Sequence, residues 1–144
     1  MKAVILAGGR GTRLVEETKS KPKPMVKIGD KPILWHIMKI FSYYDINEFV
    51  LCCGYKYEII KEYFENISEN WSVEVVDTGL DTMTGGRIKR IEKYINNEKF
   101  FLLYGDDLKS VNITELLNFH IKNKKFVTVT AAQPPGRFGI LKLE

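Results

Sequence analysis

The chain has 144 residues, of which 44% are hydrophobic and 28% are charged, and its formal net charge at pH 7 is +4. These values are ordinary for one globular domain that is long enough to bury a core. No apolar run approaches the roughly 20 residues of a membrane-spanning helix, and the first apolar run follows directly on Met1-Lys2. We therefore expect neither a membrane span nor a signal peptide.

The positive charge favours anionic partners such as nucleotides and sugar phosphates. Nucleic acid is the rival partner, but the lysines are spread along the chain and no nucleic-acid-binding motif is visible. Cys52 and Cys53 are adjacent in an apolar run and have no other cysteine to pair with. We expect buried thiols in a reducing, cytoplasmic compartment. No cysteine and histidine spacing indicates a zinc site.

Apolar runs and helical periodicity predict alternating strands and helices. Strands are predicted at residues 2–6, 47–53, 71–76, 99–104 and 126–132, with another strand beginning at 140–143. Helices are predicted from residue 30 to about residue 41, and at residues 55–64, 87–95 and 113–121. This alternation predicts an α/β fold, in which a Rossmann-like, mostly parallel sheet carries helices on both faces. The whole chain, residues 1–144, is predicted to form one domain.

A glycine-rich loop follows the first predicted strand. Gly8, Gly9 and Gly11 lie within four positions, so the backbone can turn tightly and expose its N–H groups to a ligand. Arg13 adds a fixed positive charge with several donors that suit phosphate oxygens. Together they predict a phosphate-binding loop. The spacing fits neither a P-loop nor the dinucleotide-binding fingerprint, and a plain strand-to-helix turn is the alternative.

Three loops are predicted to meet at one edge of this sheet. The glycine-rich loop, residues 77–86 and Gly105-Asp106 each follow a predicted strand, and ligands of such sheets bind outside the carboxyl ends of the strands. Lys21-Pro22-Lys23-Pro24-Met25 adds two lysines on a segment that its prolines keep stiff and extended. A solvated surface loop is the alternative for this segment.

The glycine-rich loop and the Lys-Pro segment together resemble the signature of the sugar-phosphate nucleotidylyltransferases, in particular the glucose-1-phosphate cytidylyltransferases. Further motifs match in the family's order, namely Pro32-Ile33-Leu34-Trp35-His36-Ile37-Met38, Cys52-Cys53-Gly54-Tyr55-Lys56, Asp77-Thr78-Gly79, Met83-Thr84-Gly85-Gly86-Arg87, Tyr104-Gly105-Asp106 and Pro134-Pro135-Gly136-Arg137-Phe138-Gly139. The resemblance implies the nucleotide-diphospho-sugar transferase type of fold, a homo-oligomer, and transfer of CMP from CTP to a small phosphorylated acceptor. It also implies Mg²⁺ as the cofactor and pyrophosphate as the leaving group.

The resemblance assigns roles to residues that match the family's motifs. Arg13 would hold the β- and γ-phosphates and Lys23 would bridge the reacting phosphates, so these are the expected catalytic residues, with Lys21 as outer support. Asp106 matches the Mg²⁺ ligand, and Gly139 matches a backbone contact to the acceptor sugar. The expected nucleotide-binding residues are Leu6, Ala7, Gly8, Gly9, Gly11, Thr12, Arg13, Lys23, Thr84, Gly85, Tyr104, Gly105 and Asp106. A helix cap is the alternative for a lone strand-end aspartate.

The sequence departs from the family at three points. Asp107 stands where similar proteins have glycine, and we expect it to be exposed or to cap a helix, with a second metal ligand as the alternative. Only a short turn, residues 66–70, lies where relatives carry an insertion. The family also continues beyond Glu144 with a second metal-binding aspartate and most acceptor contacts. We therefore expect the acceptor-binding part to be missing from this chain.

Two functions stay open. One is an Mg²⁺-dependent cytidylyltransferase that acts on glucose 1-phosphate or on another small phosphate such as phosphoglutamine. The other is a non-catalytic module that binds nucleotide or regulates. Release of pyrophosphate from CTP with a panel of acceptors separates the two.

Overall fold

The computed structural model describes residues 1–11 and 20–132, and contacts divide the chain into two units, Met1–Ser110 and Val111–Glu144. The strands of the first unit are β1 (Lys2–Leu6), β2 (Lys27–Ile28), β3 (Lys31–Pro32), β4 (Glu48–Cys53), β5 (Ser72–Asp77) and β6 (Phe100–Tyr104). Its helices are α1 (Ile33–Tyr43), α2 (Tyr57–Glu65), α3 (Thr84–Arg90) and α4 (Glu92–Ile95), and a 3-10 turn covers Lys23–Met25.

Four strands form a parallel sheet in the order β5-β4-β1-β6. Leu6 at the end of β1 pairs with Cys52 of β4 on one side and with Tyr104 of β6 on the other. β1 is apolar because it lies between two strands and under helices, so it has no solvated face. These four strands lie within one residue of their predicted limits.

Helices cover both faces of the sheet. On one face, side chains of β1 and β4 pack against the α3–α4 region, in a cluster of Val4, Leu6, Val50, Cys52, Ile91 and Ile95. Successive side chains of a strand point to opposite faces, so Ala3 and its partner Phe101 face the other way. There Phe41 of α1 meets Phe101 edge-on, with ring centroids 5.4 Å apart. The predicted α/β fold is confirmed.

The two cysteines at the end of β4 are fully buried free thiols, as expected. Burial raises the pKa of Cys52 to about 11, and the nearby Arg87 guanidinium opposes this only in part. Burial also raises the pKa of Cys53, and the neighbouring Cys52 adds to that rise. Both thiols stay protonated at neutral pH and act as small apolar side chains of the core.

We expect these thiols to make stability fall in alkaline solution. Above about pH 9 the thiols of the unfolded chain ionise while Cys53 stays protonated in the fold and Cys52 does so up to about pH 11. The unfolded state then binds fewer protons, so the free energy of unfolding drops by up to about 1.4 kcal/mol per pH unit for each thiol. Urea unfolding at pH 8 and pH 10 measures this. The Cys52→Ala/Cys53→Ala variant should lose less stability between the two pH values, and an equal loss would contradict the interpretation.

The segment before α1 differs from the prediction. A helix beginning at Asp30 was expected, but β2 and β3 form a short antiparallel hairpin there, and α1 begins only at Ile33, with Pro32 as its N-cap. Gly29 occupies the first loop position at a φ of 62°, a conformation that glycine adopts without strain and that closes two-residue hairpins. The prediction of a helix over residues 30–32 was therefore wrong.

The helical region after β5 is also not the single predicted helix over residues 87–95. α3 begins at Thr84, within the predicted loop, and Ile91 at a φ of −103° separates it from α4. Glycines disfavour helices, which led to the loop prediction. Here a Cβ on Gly86 would lie 2.8 Å from Cγ2 of Thr82, so the Thr82 side chain would have to shift to admit a larger residue.

The second unit contains α5 (Ile113–Asn123). Asn112 caps this helix by accepting a hydrogen bond from the Glu115 N–H at 3.1 Å. The prediction of a fifth strand at residues 126–132 was wrong. These residues are irregular and largely exposed, and no described strand pairs with them. The expected strand at 140–143 lies outside the described residues. None of the described helices is both long and apolar enough to cross a membrane.

Both tryptophans of the chain lie together beside the turn at residues 66–70. Trp35 of α1 and Trp71 have ring centroids 6.1 Å apart. Glu69 fixes the turn against α1, because its carboxylate accepts hydrogen bonds from the Trp35 indole N–H at 3.2 Å and from the Lys39 ammonium at 2.8 Å. The expected short turn is therefore held by specific contacts.

Candidate functional site

A pocket of about 260 Å³ opens at the carboxyl ends of β1 and β6. The three loops predicted to meet at this edge do so within the unit Met1–Ser110. The described residues that line the pocket are Leu6, Ala7, Gly8, Gly9, Gly11, Lys23, Pro24, Thr82, Met83, Thr84, Arg87, Tyr104 and Asp106.

The glycine-rich loop leaves β1 as an extension of the sheet. The Ala7 N–H donates to Cys52 O at 2.9 Å, and the Gly105 N–H donates to Leu6 O at 2.9 Å. At Gly8, the residue after Ala7, the carbonyl oxygen accepts a hydrogen bond from the Tyr55 N–H at 3.3 Å. These bonds fix the start of the loop in the plane of the sheet, and the chain then turns away along the pocket wall.

Arg87 is buried beneath this loop, with only 6% of its surface exposed. Its guanidinium donates to Cys53 O at 2.8 Å, to Thr78 Oγ1 at 2.7 Å and to Gly8 O at 3.2 Å. A fourth bond, also at 3.2 Å, reaches Leu80 O. Arg87 thus ties the glycine-rich loop, the end of β4 and the loop after β5 together.

The acceptors that Arg87 contacts in the described part of the chain are carbonyl and hydroxyl oxygens, so none of them neutralises its charge. A buried cation without a carboxylate partner is costly and favours an anion in the space beside it. The sequence placed Arg87 in a matching motif, but the motif alone fixed no contact for this side chain.

Gly8 is needed where Arg87 passes. A Cβ on Gly8 would lie 2.0 Å from an Nη atom of Arg87, whereas a Cβ on Gly9 would meet nothing within 4 Å. Glycine therefore serves a different purpose at each of these two adjacent positions. Gly8 makes room for a buried side chain, and Gly9 leaves the backbone open to the pocket.

The Lys-Pro segment brings Lys23 to the pocket. Pro22 is extended and caps the 3-10 turn, which the Met25 N–H closes by donating to Pro22 O at 2.8 Å. Pro24 is buried next to Gly105, where a Cβ would come within 3.2 Å of Pro24 Cγ. The rings of the two prolines thus anchor the segment, and Lys23 projects from it toward the end of β6.

Lys23 and Asp106 both line the pocket and form an ion pair, with Nζ and Oδ2 2.5 Å apart. Their side chains are 31% and 34% exposed, so water still reaches both. Asp107 points elsewhere and pairs with Lys109 at 2.6 Å. The two adjacent carboxylates therefore differ: Asp106 lines the pocket, and Asp107 is a half-exposed residue outside it, as the favoured expectation had it.

A second ion pair joins two of the loops at the pocket mouth. Arg10 of the glycine-rich loop contacts Asp81 at 3.1 Å, and both side chains are largely exposed. Such pairs contribute little to stability. Among the described lining residues, Lys23 and Arg87 carry positive charge and Asp106 alone carries negative charge, so the pocket suits an anionic ligand.

Most of the predicted nucleotide-binding residues in the described part of the chain lie in this pocket. Gly85 and Gly105 do not line it, although both adjoin residues that do. Thr12, Arg13 and Gly139 fall in residues 12–19 and 133–144, outside the described residues. The sequence did not predict Pro24 and Thr82 as lining residues, whereas Met83 belongs to one of the motifs that match the family. The Lys-Pro segment and the loop after β5 were the signals for them.

A family model described as nucleotidyl transferase matches residues 2–144. Glucose-1-phosphate cytidylyltransferase of Salmonella typhi is 49% identical over an alignment that covers 100% of this chain and 65% of the relative. Probable glucose-1-phosphate cytidylyltransferase of Bacillus subtilis is 44% identical, again covering 100% and 65%. The crystal structure of HddC from Yersinia pseudotuberculosis complexed with GMP-PN has a TM-score of 0.72 at 32% identity, covering 83% of this chain and 54% of that chain.

The chain therefore spans about two thirds of the length of these curated relatives, 65% in both cases. The alignment with the Salmonella relative has 167 positions, although the chain has 144 residues. That relative therefore carries residues within the aligned stretch which this chain lacks.

Proposed function

The chain belongs to the nucleotidyl transferase family, as its motifs predict. On this basis we propose that it transfers CMP from CTP to glucose 1-phosphate. The observation that carries the proposal is the pocket in which the glycine-rich loop, Lys23 and Asp106 meet. Two relatives that match the whole chain are named glucose-1-phosphate cytidylyltransferases. Their names favour an enzyme over the non-catalytic module.

In the proposed reaction, a phosphate oxygen of the acceptor attacks the α-phosphorus of CTP. A new phosphorus–oxygen bond forms, the bond from the α-phosphorus to the bridging oxygen of the β-phosphate breaks, and pyrophosphate leaves with the electron pair. No nucleophile from the protein is required. Catalysis then rests on holding the two phosphates in line and on stabilising the charge that develops between them.

The described residues can supply both requirements. Gly9 and Gly11 line the pocket. Because glycine has no Cβ, phosphates or a base can approach the backbone closely there. Lys23 would place a mobile positive charge at the reacting phosphates, and buried Arg87 would keep the floor positive. Arg13 as the holder of the leaving pyrophosphate stays a prediction, since it lies outside the described residues.

The pocket also fits the expected Mg²⁺. Asp106 presents a hard carboxylate oxygen at its edge, and Mg²⁺ commonly binds through one or two carboxylates together with waters and substrate phosphates. When bound, the ion would neutralise phosphate charge. No cluster of three or more His, Cys, Asp or Glu side chains occurs among the described residues, so Asp106 would hold it only together with the nucleotide.

We expect Asp106→Asn and Asp107→Asn to differ sharply. Asp106 lines the pocket, whereas Asp107 is paired with Lys109 outside it. Mg²⁺ raises the affinity for CTP by some factor, and in Asp106→Asn this factor should be at least about tenfold smaller than in the parent chain. In Asp107→Asn the factor should be nearly unchanged. Calorimetric titration of CTP at several Mg²⁺ concentrations measures this. A metal dependence lost only in Asp107→Asn would reverse the assignment.

The proposed function is tested by pyrophosphate release. The chain is incubated with CTP, Mg²⁺ and either glucose 1-phosphate or phosphoglutamine, and then with UTP or GTP in place of CTP. Release that needs both CTP and glucose 1-phosphate supports the proposal, and release only with phosphoglutamine would change the acceptor. CTP binding without release for any acceptor would favour the non-catalytic module. A homo-oligomer, the Gly139 contact and a cytoplasmic location stay predictions.

A further inference from the structure

We propose that Lys23 keeps Asp106 closed to a divalent cation until nucleotide phosphates draw the lysine away. The inference rests on the proposed function, because it takes Asp106 as the carboxylate that receives the cation. The observation behind it is the ion pair itself, in which the lysine Nζ lies 2.5 Å from Asp106 Oδ2. One of the two carboxylate oxygens of Asp106 is thus already paired with a cation of the protein.

The position of the lysine is built into the fold. Pro22 and Pro24 are both buried, and Pro24 lies within contact of Gly105, the residue before the aspartate. The backbone of the lysine therefore cannot move far from the end of β6. Only the flexible side chain can turn, and the pocket beside it is the space into which it can turn.

A divalent ion beside Asp106 would meet the lysine ammonium as a close like charge. Among the described lining residues no second carboxylate offsets this repulsion, and buried Arg87 adds to it. Phosphate oxygens in the pocket reverse the balance, because they give the lysine a new partner and give the cation further oxygen ligands. Cation and nucleotide should therefore each raise the affinity of the other by the same factor.

The test starts from the metal alone. Mn²⁺ is titrated without nucleotide into the parent chain, Lys23→Met, Asp106→Asn and the double variant, and the free ion is followed by electron paramagnetic resonance. Methionine keeps the unbranched shape and most of the length of the lysine side chain and removes its charge. We expect Lys23→Met to bind Mn²⁺ about tenfold or more tightly than the parent, and we expect the gain to disappear in the double variant.

The same titration is then repeated with CTP. The parent should bind Mn²⁺ more tightly when CTP is present, and Lys23→Met should show a smaller increase. Thermal unfolding of each variant confirms that the fold is kept. An unchanged Mn²⁺ affinity in Lys23→Met, or a gain that persists without Asp106, would overturn the inference. Absence of CTP binding by the parent would instead overturn the proposed function, and the titration with metal alone would still stand.

Discussion

Gly8→Ala should unfold at a temperature roughly 5–10 °C below the parent chain, because overpacking of a core costs about 2–3 kcal/mol. The new methyl group would lie 2.0 Å from an Nη atom of Arg87. The guanidinium cannot simply swing out, since it is buried and donates to four oxygens from three segments. Either these bonds break or the glycine-rich loop shifts, and both changes deform the pocket wall. CTP affinity should therefore fall together with stability.

Gly9→Ala is the matched control for this prediction. It makes the same substitution one residue later, where a Cβ meets nothing within 4 Å. Its unfolding temperature should stay within about 2 °C of the parent, as for substitutions away from packed sites, whatever happens to ligand affinity. Differential scanning calorimetry compares the two variants. Equal loss of stability in both would mean that the loop itself, and not the contact with Arg87, is the cause.

Lys23→Ala should lower the turnover of CTP by a factor of about 10²–10³, the usual cost of removing one charge-stabilising group at a reacting centre. The lysine lines the pocket and is held beside Asp106 by the proline-anchored turn. Its charge can therefore act on the phosphates in the transition state. We expect the loss to appear in kcat and not mainly in KM, since an interaction confined to the transition state affects both kcat and kcat/KM.

Lys21→Ala provides the comparison. Lys21 belongs to the same segment and carries the same charge, but it is not among the described residues that line the pocket. Its removal should cost less than about tenfold, as for a charge that acts at a distance through solvent. Steady-state kinetics of pyrophosphate release gives both values. A larger loss for Lys21→Ala would show that the wrong lysine of the segment has been assigned to the phosphates.

The sheet and its functional edge were predictable because they depend on local patterns. Buried parallel strands are nearly continuous apolar runs, and the sequences of β1 and β4 are such runs. Once the strands alternate with helices, the rule for parallel sheets places the loops after β1, β5 and β6 at one edge. The position of the pocket followed from this rule, together with the glycines and the Lys-Pro segment.

The errors have physical causes that a local pattern does not contain. Residues 126–132 have the composition of a strand, but composition does not supply a partner for the backbone. The β2–β3 hairpin is too short to show an alternating pattern. Arg87 was assigned no contact because two of its acceptors, the carbonyl oxygens of Gly8 and Cys53, lie 79 and 34 residues away in the sequence. The pairing of Lys23 with Asp106, 83 residues apart, likewise required the fold.

The positions of the two tryptophans determine which structural changes the intrinsic fluorescence of this protein can report. Both indole rings of the chain lie beside the turn held by Glu69, and neither belongs to the described pocket wall. At this separation they share excitation energy and respond to the same surroundings. Intrinsic fluorescence should therefore follow the loss of α1 from the sheet during unfolding and stay almost silent when the pocket fills. A reporter dye for occupancy would have to be attached near Met83, whose side chain lines the pocket and is 81% exposed.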